Sequence, residues 1–193
     1  MSSKLFWMRH GTCRDGRDKP HAHPQPESPL TPDGAVEVRD RAQSLDLPTA
    51  RPLVVSSPLL RARQTARIVA HSLGADLAPP VEVFAEWRAP DCVLGLTPAH
   101  YPTSYDHWRR IRARHPETSL SGGESLGTFA DRAAQAATAA QNLSDCYRAV
   151  VIVSHRLLIG AVAALNGGHR DPGEIFAFAS DFALPPATTW TPS

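Results

Sequence analysis

Cysteine is scarce in this chain: Cys13, Cys92 and Cys146 are the only three, and they form no C-x-x-C pair. An odd set with no such pair fits a reducing compartment better than a disulfide framework. Neither sign of charge is in excess, since 20 Lys and Arg stand against 19 Asp and Glu. At a net charge of +1 there is no bulk attraction for nucleic acid or an acidic membrane, so neither is expected as a partner, and any anion must be caught locally. Long apolar runs are missing too. Residues 5–8 are too short for a secretory h-region, and nothing approaches the roughly 20 apolar residues of a membrane span, so a cytoplasmic protein is expected. Repeats and linkers are also absent. What remains is 193 residues with 42% hydrophobic content, enough for a full core and read as one domain over 1–193.

Short apolar runs at 4–9, at 52–57 ("PLVVSS") and at 149–154 ("AVVIVS") have the composition of buried parallel strands. Helical patterns lie between them. "LTPDGAVEVRDRAQSL" has Thr31 as N-cap and Pro32 at the first helical position, and "SSPLLRARQTARIVAHSLG" repeats the device with Ser57 and Pro58 and stops at Gly74. Residues 125–143 are alanine-rich and helical by propensity, and "RLLIGAVAALNGG" reads as a helix ending at Gly167 and Gly168. Alternation of this kind predicts an α/β fold, a three-layer α/β/α sandwich with a mainly parallel central sheet. Two stretches break the rhythm. Residues 13–29 are polar and proline-rich, a loop long enough to be functional or mobile. Residues 86–121 form a small cap over the sheet edge with one short helix in "YDHWRRIRARHP", whose Tyr105, Trp108 and Ile111 share a face while Arg109, Arg110 and Arg112 point elsewhere.

In an open parallel sheet, ligands collect beyond the carboxyl ends of the strands. The first strand delivers Arg9 and His10 there, the second leads into a helix carrying Arg61 in its first turn, and the third delivers His155. Two arginines and two histidines converging on one edge are costly without an anion, and a phosphoryl group matches guanidinium forks best. Gly11 is expected to let the backbone approach that anion. One imidazole can attack phosphorus while the other, held protonated, stabilises developing charge. The leaving oxygen then needs an acid, and Glu86, placed after a further possible strand, is the first choice over Glu82 and Asp91.

"RHGT" near the start, "LTPDG", "SSPLLRARQTA", a later glutamate, "GGES" and a late "VSH" occur in the order that resembles the histidine phosphatase superfamily, the phosphoglycerate-mutase-like fold. The resemblance implies that His10 is the phosphorylated nucleophile, Arg9 and Arg61 phosphate ligands, His155 the second pocket histidine and Glu86 the proton donor. It also implies chemistry without metal or other cofactor. Mutase members continue the first motif with a glutamate, a serine and a later asparagine, where this chain has Thr12, Cys13 and Gly16, and the tyrosine-glycine segment after the acid is missing. Arg156 replaces the glycine that follows the second histidine, and either meets substrate or turns outward. The reading is a metal-independent phosphatase acting on a small-molecule phosphomonoester through a phosphohistidine, with Gly11, Thr12 and Arg156 added to the substrate-binding set. A mutase-type isomerase and a non-catalytic phosphate-binding module are the alternatives.

Other residues have plainer readings. Arg63 and Arg67 suit a solvated helix face, and His21 and His23 in "HAH" lack the partners of a metal site and suit a loop. Trp7, Trp87 and Trp108 suit core or cap packing. Glu124 and Ser125 in "GGES" suit the turn that opens the alanine-rich helix, and Cys13 beside the pocket is a small packed residue.

Overall fold

The computed structural model describes residues 5–19, 22–49 and 51–192. Its elements in chain order are β1 (Leu5–Arg9), α1 (Arg14–Asp18), α2 (Pro32–Gln43), β2 (Leu53–Ser56), α3 (Leu60–Leu73), β3 (Asp76–Leu77), α4 (Thr103–Ile111), α5 (Leu126–Cys146), β4 (Val150–Ser154), α6 (Arg156–Asn166), α7 (Pro172–Asp181) and β5 (Thr189–Trp190). The sheet runs β3-β2-β4-β1-β5, parallel except for β5, which pairs antiparallel with β1 at one edge.

Side chains alternate across the strands and so sort the core into two layers. Trp7, Val55 and Ile152 pack with α5, α6, α7 and the cap, whereas Phe6, Met8, Val54, Val151 and Val153 pack with α2 and α3. Helices therefore cover both faces, as expected of a three-layer α/β fold. Register then fixes where the chemistry sits: Arg9 lies opposite Ser154 and Ser56 opposite Val153, so β1, β2 and β4 end within about one residue of each other along the same edge. The residues that follow, His10, Ser57 and His155, emerge together.

Several local expectations hold for the reasons given. Thr31 Oγ1 accepts from Gly34 N at 2.9 Å with Pro32 beginning α2, and Ser125 Oγ accepts from Thr128 N at 3.1 Å to open α5. Gly74 takes the left-handed conformation (φ 59°) that ends α3. Others fail. Ser57 does not cap α3, which begins only at Leu60; its hydroxyl accepts from Leu59 N at 3.2 Å in the preceding turn. The segment before Glu86 is a 3-10 turn, Glu82–Phe84, because β2's outer partner is already supplied by β3. Arg112 does not point outward with Arg109 and Arg110: its guanidinium lies over Phe176 at 4.4 Å, Trp108 at 5.1 Å and Trp87 at 5.5 Å, a cation on aromatic faces.

The 13–29 segment is tied down as well. It contains α1, Cys13 bridges Leu30, and His23 bridges Leu94 of the cap. Among the described residues no helix is long and apolar enough to cross a membrane.

Candidate active site

His10 leaves β1 with its N–H bonded to Ser154 O at 3.0 Å, so the sheet ladder continues one residue into the site. Its Nδ1 lies 2.7 Å from Gly11 O. A carbonyl can only accept, so Nδ1 carries the proton and Nε2 is left as the basic nitrogen. Arg61 Nε donates to that Nε2 at 3.2 Å. Burial first, then the Arg61 charge, hold the imidazole proton affinity well below its ordinary value, so His10 is neutral. A neutral imidazole with a fixed tautomer keeps an unprotonated Nε2 lone pair, which here accepts from Arg61 and can attack phosphorus once that hydrogen bond is given up.

Arg61 is the second residue of α3 and is buried; its Nη1 is pinned to Gln25 O at 3.1 Å. One turn on, Thr65 Oγ1 donates to Arg61 O and accepts from Gly11 N at 3.2 Å, tying the helix start to the strand end. Arg9 donates from Nη1 to Leu184 O at 2.7 Å, while its Nε is buried with no hydrogen-bond partner among the described residues. Burial, then neighbouring Arg156, lower its proton affinity.

His155 stands behind this group, its ring centroid 5.1 Å from that of His10. Its Nε2 lies 2.7 Å from Ser57 Oγ, and its Nδ1 is buried without a protein partner among the described residues. The expectation of a protonated second histidine needs correction for the protein by itself. Burial, then Arg61 and His10, push His155 well below the ordinary imidazole range, so it is neutral.

Glu86 meets α6 end-on. Its Oε1 accepts from Trp87 N at 2.9 Å and Leu158 N at 3.1 Å, and its Oε2 from Leu157 N at 3.2 Å. The carboxyl thus caps the helix that begins immediately after His155, at the positive end of its dipole. Of the competing carboxyls, Glu82 and Asp91 are exposed and stand outside the cavity. Glu124 is buried against Arg132 at 2.7 Å.

Sequence reasoning overlooked Arg132 altogether. From α5 it donates to Glu124, to Val83 O at 3.2 Å, to Ala85 O at 2.6 Å and to Glu86 O at 3.2 Å, clamping the backbone that carries Glu86. Its position on an alanine-rich helix gave no signal beyond being a charge on a mostly apolar face.

A cavity of about 260 Å³ opens at this edge, lined by Arg9, His10, Thr12, Arg61, Glu86 and Arg156 among others. Six of the residues singled out in the sequence thus share it; Gly11 and His155 do not reach its wall. Gly11 has a different reason from the one expected. A Cβ there would lie 2.5 Å from Val38 Cγ2 and 2.7 Å from Gly34 O, so its smallness admits α2 to the strand end and leaves its carbonyl to fix His10. Thr12 donates from its hydroxyl to Glu37 at 3.1 Å.

The rest of the wall comes from segments without a motif: Cys13, Gly16, Ala22, His23 and Pro24 of the 13–29 segment, with Leu157 and Pro186. His23 is held between Trp87 and Tyr101, ring centroids 5.6 and 6.1 Å away, and burial, then Arg112 and Arg156, lower its pKa to about 4. His21 lies outside the described residues. No group of His, Cys, Asp and Glu among the described residues is arranged to hold a metal ion. Trp7 is core, and Trp87 donates its indole N–H to Glu124 O at 3.0 Å, a packing role.

A fold of this kind, with two buried histidines after the strand ends, the half-buried Arg9 and the buried Arg61 at the start of α3, has the charge and geometry that suit a phosphoryl group. The family model of the histidine phosphatase superfamily (branch 1) matches residues 5–180, and the chain belongs to that superfamily. A relative named probable phosphoglycerate mutase GpmB, from Salmonella typhi, is 26% identical over 169 residues, spanning 83% of this chain and 73% of its own. Among solved structures, the alpha-ribazole phosphatase of Shigella flexneri superposes with a TM-score of 0.72 at 20% identity, covering 90% of this chain and 83% of that one. A mycobacterial glucosyl-3-phosphoglycerate phosphatase in complex with VO3 gives 0.73 at 22% identity, covering 97% and 90%. Membership in this superfamily, with both mutase and phosphatase relatives, supports phosphatase or mutase activity.

Proposed function

We propose that the protein is a metal-independent phosphatase that hydrolyses a small phosphomonoester through a phosphohistidine on His10. The observation that carries this reading is the state of His10: Nδ1 tied to Gly11 O, Nε2 basic, and Arg61 Nε 3.2 Å from that nitrogen. Arg9 and Arg61 supply the positive charge that the transferring phosphoryl oxygens require.

In the first step the Nε2–P bond forms as the ester P–O bond breaks, and the Glu86 carboxyl gives its proton to the leaving oxygen. Oε2 accepts one N–H against two on Oε1, which makes it the oxygen suited to carry that proton. In the second step water attacks phosphorus, its proton passes to the Glu86 carboxylate, the N–P bond breaks and inorganic phosphate leaves. The phosphoryl charge draws a proton onto His155, whose Nδ1 has no hydrogen-bond partner among the described residues; this restores its expected cationic role with the ligand as the cause.

Phosphate release from a panel of phosphomonoesters, with His10→Ala as control, tests the reading. The mutase reading is favoured by the GpmB relative, and it predicts that added diols divert the phosphoryl group from water to a second hydroxyl. Chelators separate the metal question: activity should persist in EDTA, and full loss restored by zinc or magnesium would defeat the metal-free site.

A further inference from the structure

We infer that Ser57 is a positioning residue that acts through His155: its hydroxyl decides which ring nitrogen carries the imidazole proton, and so leaves Nδ1–H as a donor for a phosphoryl oxygen. That the acceptor is a phosphoryl oxygen rests on the phosphatase reading above. Ser57 and His155 are both fully buried, and the sheet sets them face to face. Ser57 N donates to Val153 O at 2.9 Å, continuing the β2–β4 ladder by one residue, and His155 follows β4 directly. Ser57 Oγ then lies 2.7 Å from His155 Nε2.

The hydrogen-bonding capacity of the pair assigns the proton. Ser57 Oγ accepts from Leu59 N at 3.2 Å, and beyond this and the His155 contact its side chain has no partner among the described residues. If Nε2 carried the ring hydrogen, the hydroxyl would accept twice and its own hydrogen would go unused, while the Nδ1 lone pair stayed bare. If the hydroxyl donates to Nε2, both Ser57 contacts are used and the one unmet group is an Nδ1–H. Each unmet polar group in a buried place is costly, so the second arrangement is favoured.

His10 makes the contrast. Its Nδ1–H faces the carbonyl of Gly11, which can only accept, and its Nε2 is kept as the base. In His155 the hydroxyl covers Nε2, and the Nδ1–H is left over. One histidine thus keeps a lone pair and the other a hydrogen, the division that attack on phosphorus and stabilisation of its oxygens require. Their ring centroids, 5.1 Å apart, are close enough for one phosphoryl group to meet both. A hydroxyl, unlike a carbonyl, can also reverse. When the phosphoryl charge draws a second proton from solvent onto Nε2, Oγ accepts it with the lone pair not given to Leu59 N, and the ring becomes cationic without moving. Burial, then Arg61, His10, Arg132 and Arg9, oppose that charge, and the phosphoryl group is what offsets them.

Nitrogen NMR of protein with isotope-labelled histidine tests this, because protonated and bare ring nitrogens differ widely in shift and the His155 signals are those missing from His155→Gln. Wild type should show hydrogen on Nδ1 and a bare Nε2; saturating inorganic phosphate should protonate Nε2 and leave the Nδ1–H in place. Ser57→Ala should move hydrogen onto Nε2 in part or whole, whereas Ser57→Thr, which keeps a hydroxyl, should hold the wild-type pattern. Should threonine not fit the buried site, wild type and Ser57→Ala decide the matter. Phosphate affinity and kcat/KM should fall roughly tenfold or more in Ser57→Ala, the worth of a hydrogen bond to a charged group. The loss should be equal for alkyl phosphates and p-nitrophenyl phosphate, because the leaving oxygen is not involved. Hydrogen on Nε2 in wild type, an unchanged tautomer in Ser57→Ala, or His155 signals indifferent to phosphate would each overturn the inference. A phosphate response at His155 in a protein that hydrolyses no ester would sustain it and defeat the phosphatase reading; hydrolysis with hydrogen on Nε2 alone would do the reverse.

Discussion

On one side of the cavity, Arg9, His10 and Arg61 are carried by strand ends and the start of α3, with His155 behind them at the end of β4. On the other, Ala22, His23, Pro24, Leu157 and Pro186 come mainly from connecting segments. The first group is bound to the sheet by backbone ladders and mutual hydrogen bonds, and its histidines are held neutral by burial. The second is held by aromatic packing: His23 against Trp87 and Tyr101, and Arg112 against Trp87, Trp108 and Phe176. Rigid elements suit the invariant part of a reaction, the attack on phosphorus, and loops suit the part that differs between substrates.

Substitutions on the two sides should therefore fail differently. The largest effect is expected on the sheet side, where His10→Ala should abolish turnover of every ester; near-native activity would end the mechanism. Arg61→Ala, measured on the same panel, should reduce kcat/KM about a hundredfold or more for all substrates alike, as loss of a transition-state donor does. Strong substrate dependence there would blur the distinction between the two sides.

Glu86 lies between the two. Expelling an alkoxide needs its proton and expelling p-nitrophenolate does not, so Glu86→Gln should lower kcat/KM for alkyl phosphates by roughly a hundredfold more than for p-nitrophenyl phosphate. Equal losses would reduce Glu86 to a helix cap. Arg132→Ala should act first on stability. Glu124 would be left buried and unpaired, a loss of about 3 kcal/mol that chemical denaturation would register. Its remaining activity should show the Glu86 pattern in milder form.

The smallest effect concerns the loop side. His23 has a pKa of about 4 in the folded protein against the ordinary 6.5, so between those values the unfolded chain binds the extra proton. Its share of stability is therefore complete above pH 6.5 and declines as pH falls towards 4. His23→Phe should flatten the fall in urea midpoint between pH 7.5 and 5; the same slope as wild type would mean His23 is not buried as described.

The sheet side was legible in the sequence because its information is local. A short apolar run ending in Arg9 and His10, and another ending in Ser154 and His155, state both the strand and its terminal side chains, and parallel register brings the ends together. Ser57 was misplaced because a serine before a proline looks like an N-cap, whereas here it accepts from Leu59 N and meets His155 across 98 residues. Gly11 was misread because its crowding comes from α2, which no pattern near residue 11 reveals. Arg132, Arg112 and the loop wall depend wholly on contacts distant in sequence, and α7 and β5 carried too little periodicity to stand out. Glu86 was singled out by its place after a further possible strand, which is a 3-10 turn instead, and its cap on α6 required the fold.

The most direct test is to trap the covalent intermediate. Rapid acid-free quench of wild type with a labelled phosphomonoester should yield one phosphoryl group on the chain, stable in alkali and lost in acid, and peptide mapping should place it on His10. An adduct with the opposite stability, one mapped to another residue, or turnover with no adduct at burst timescale would contradict the mechanism.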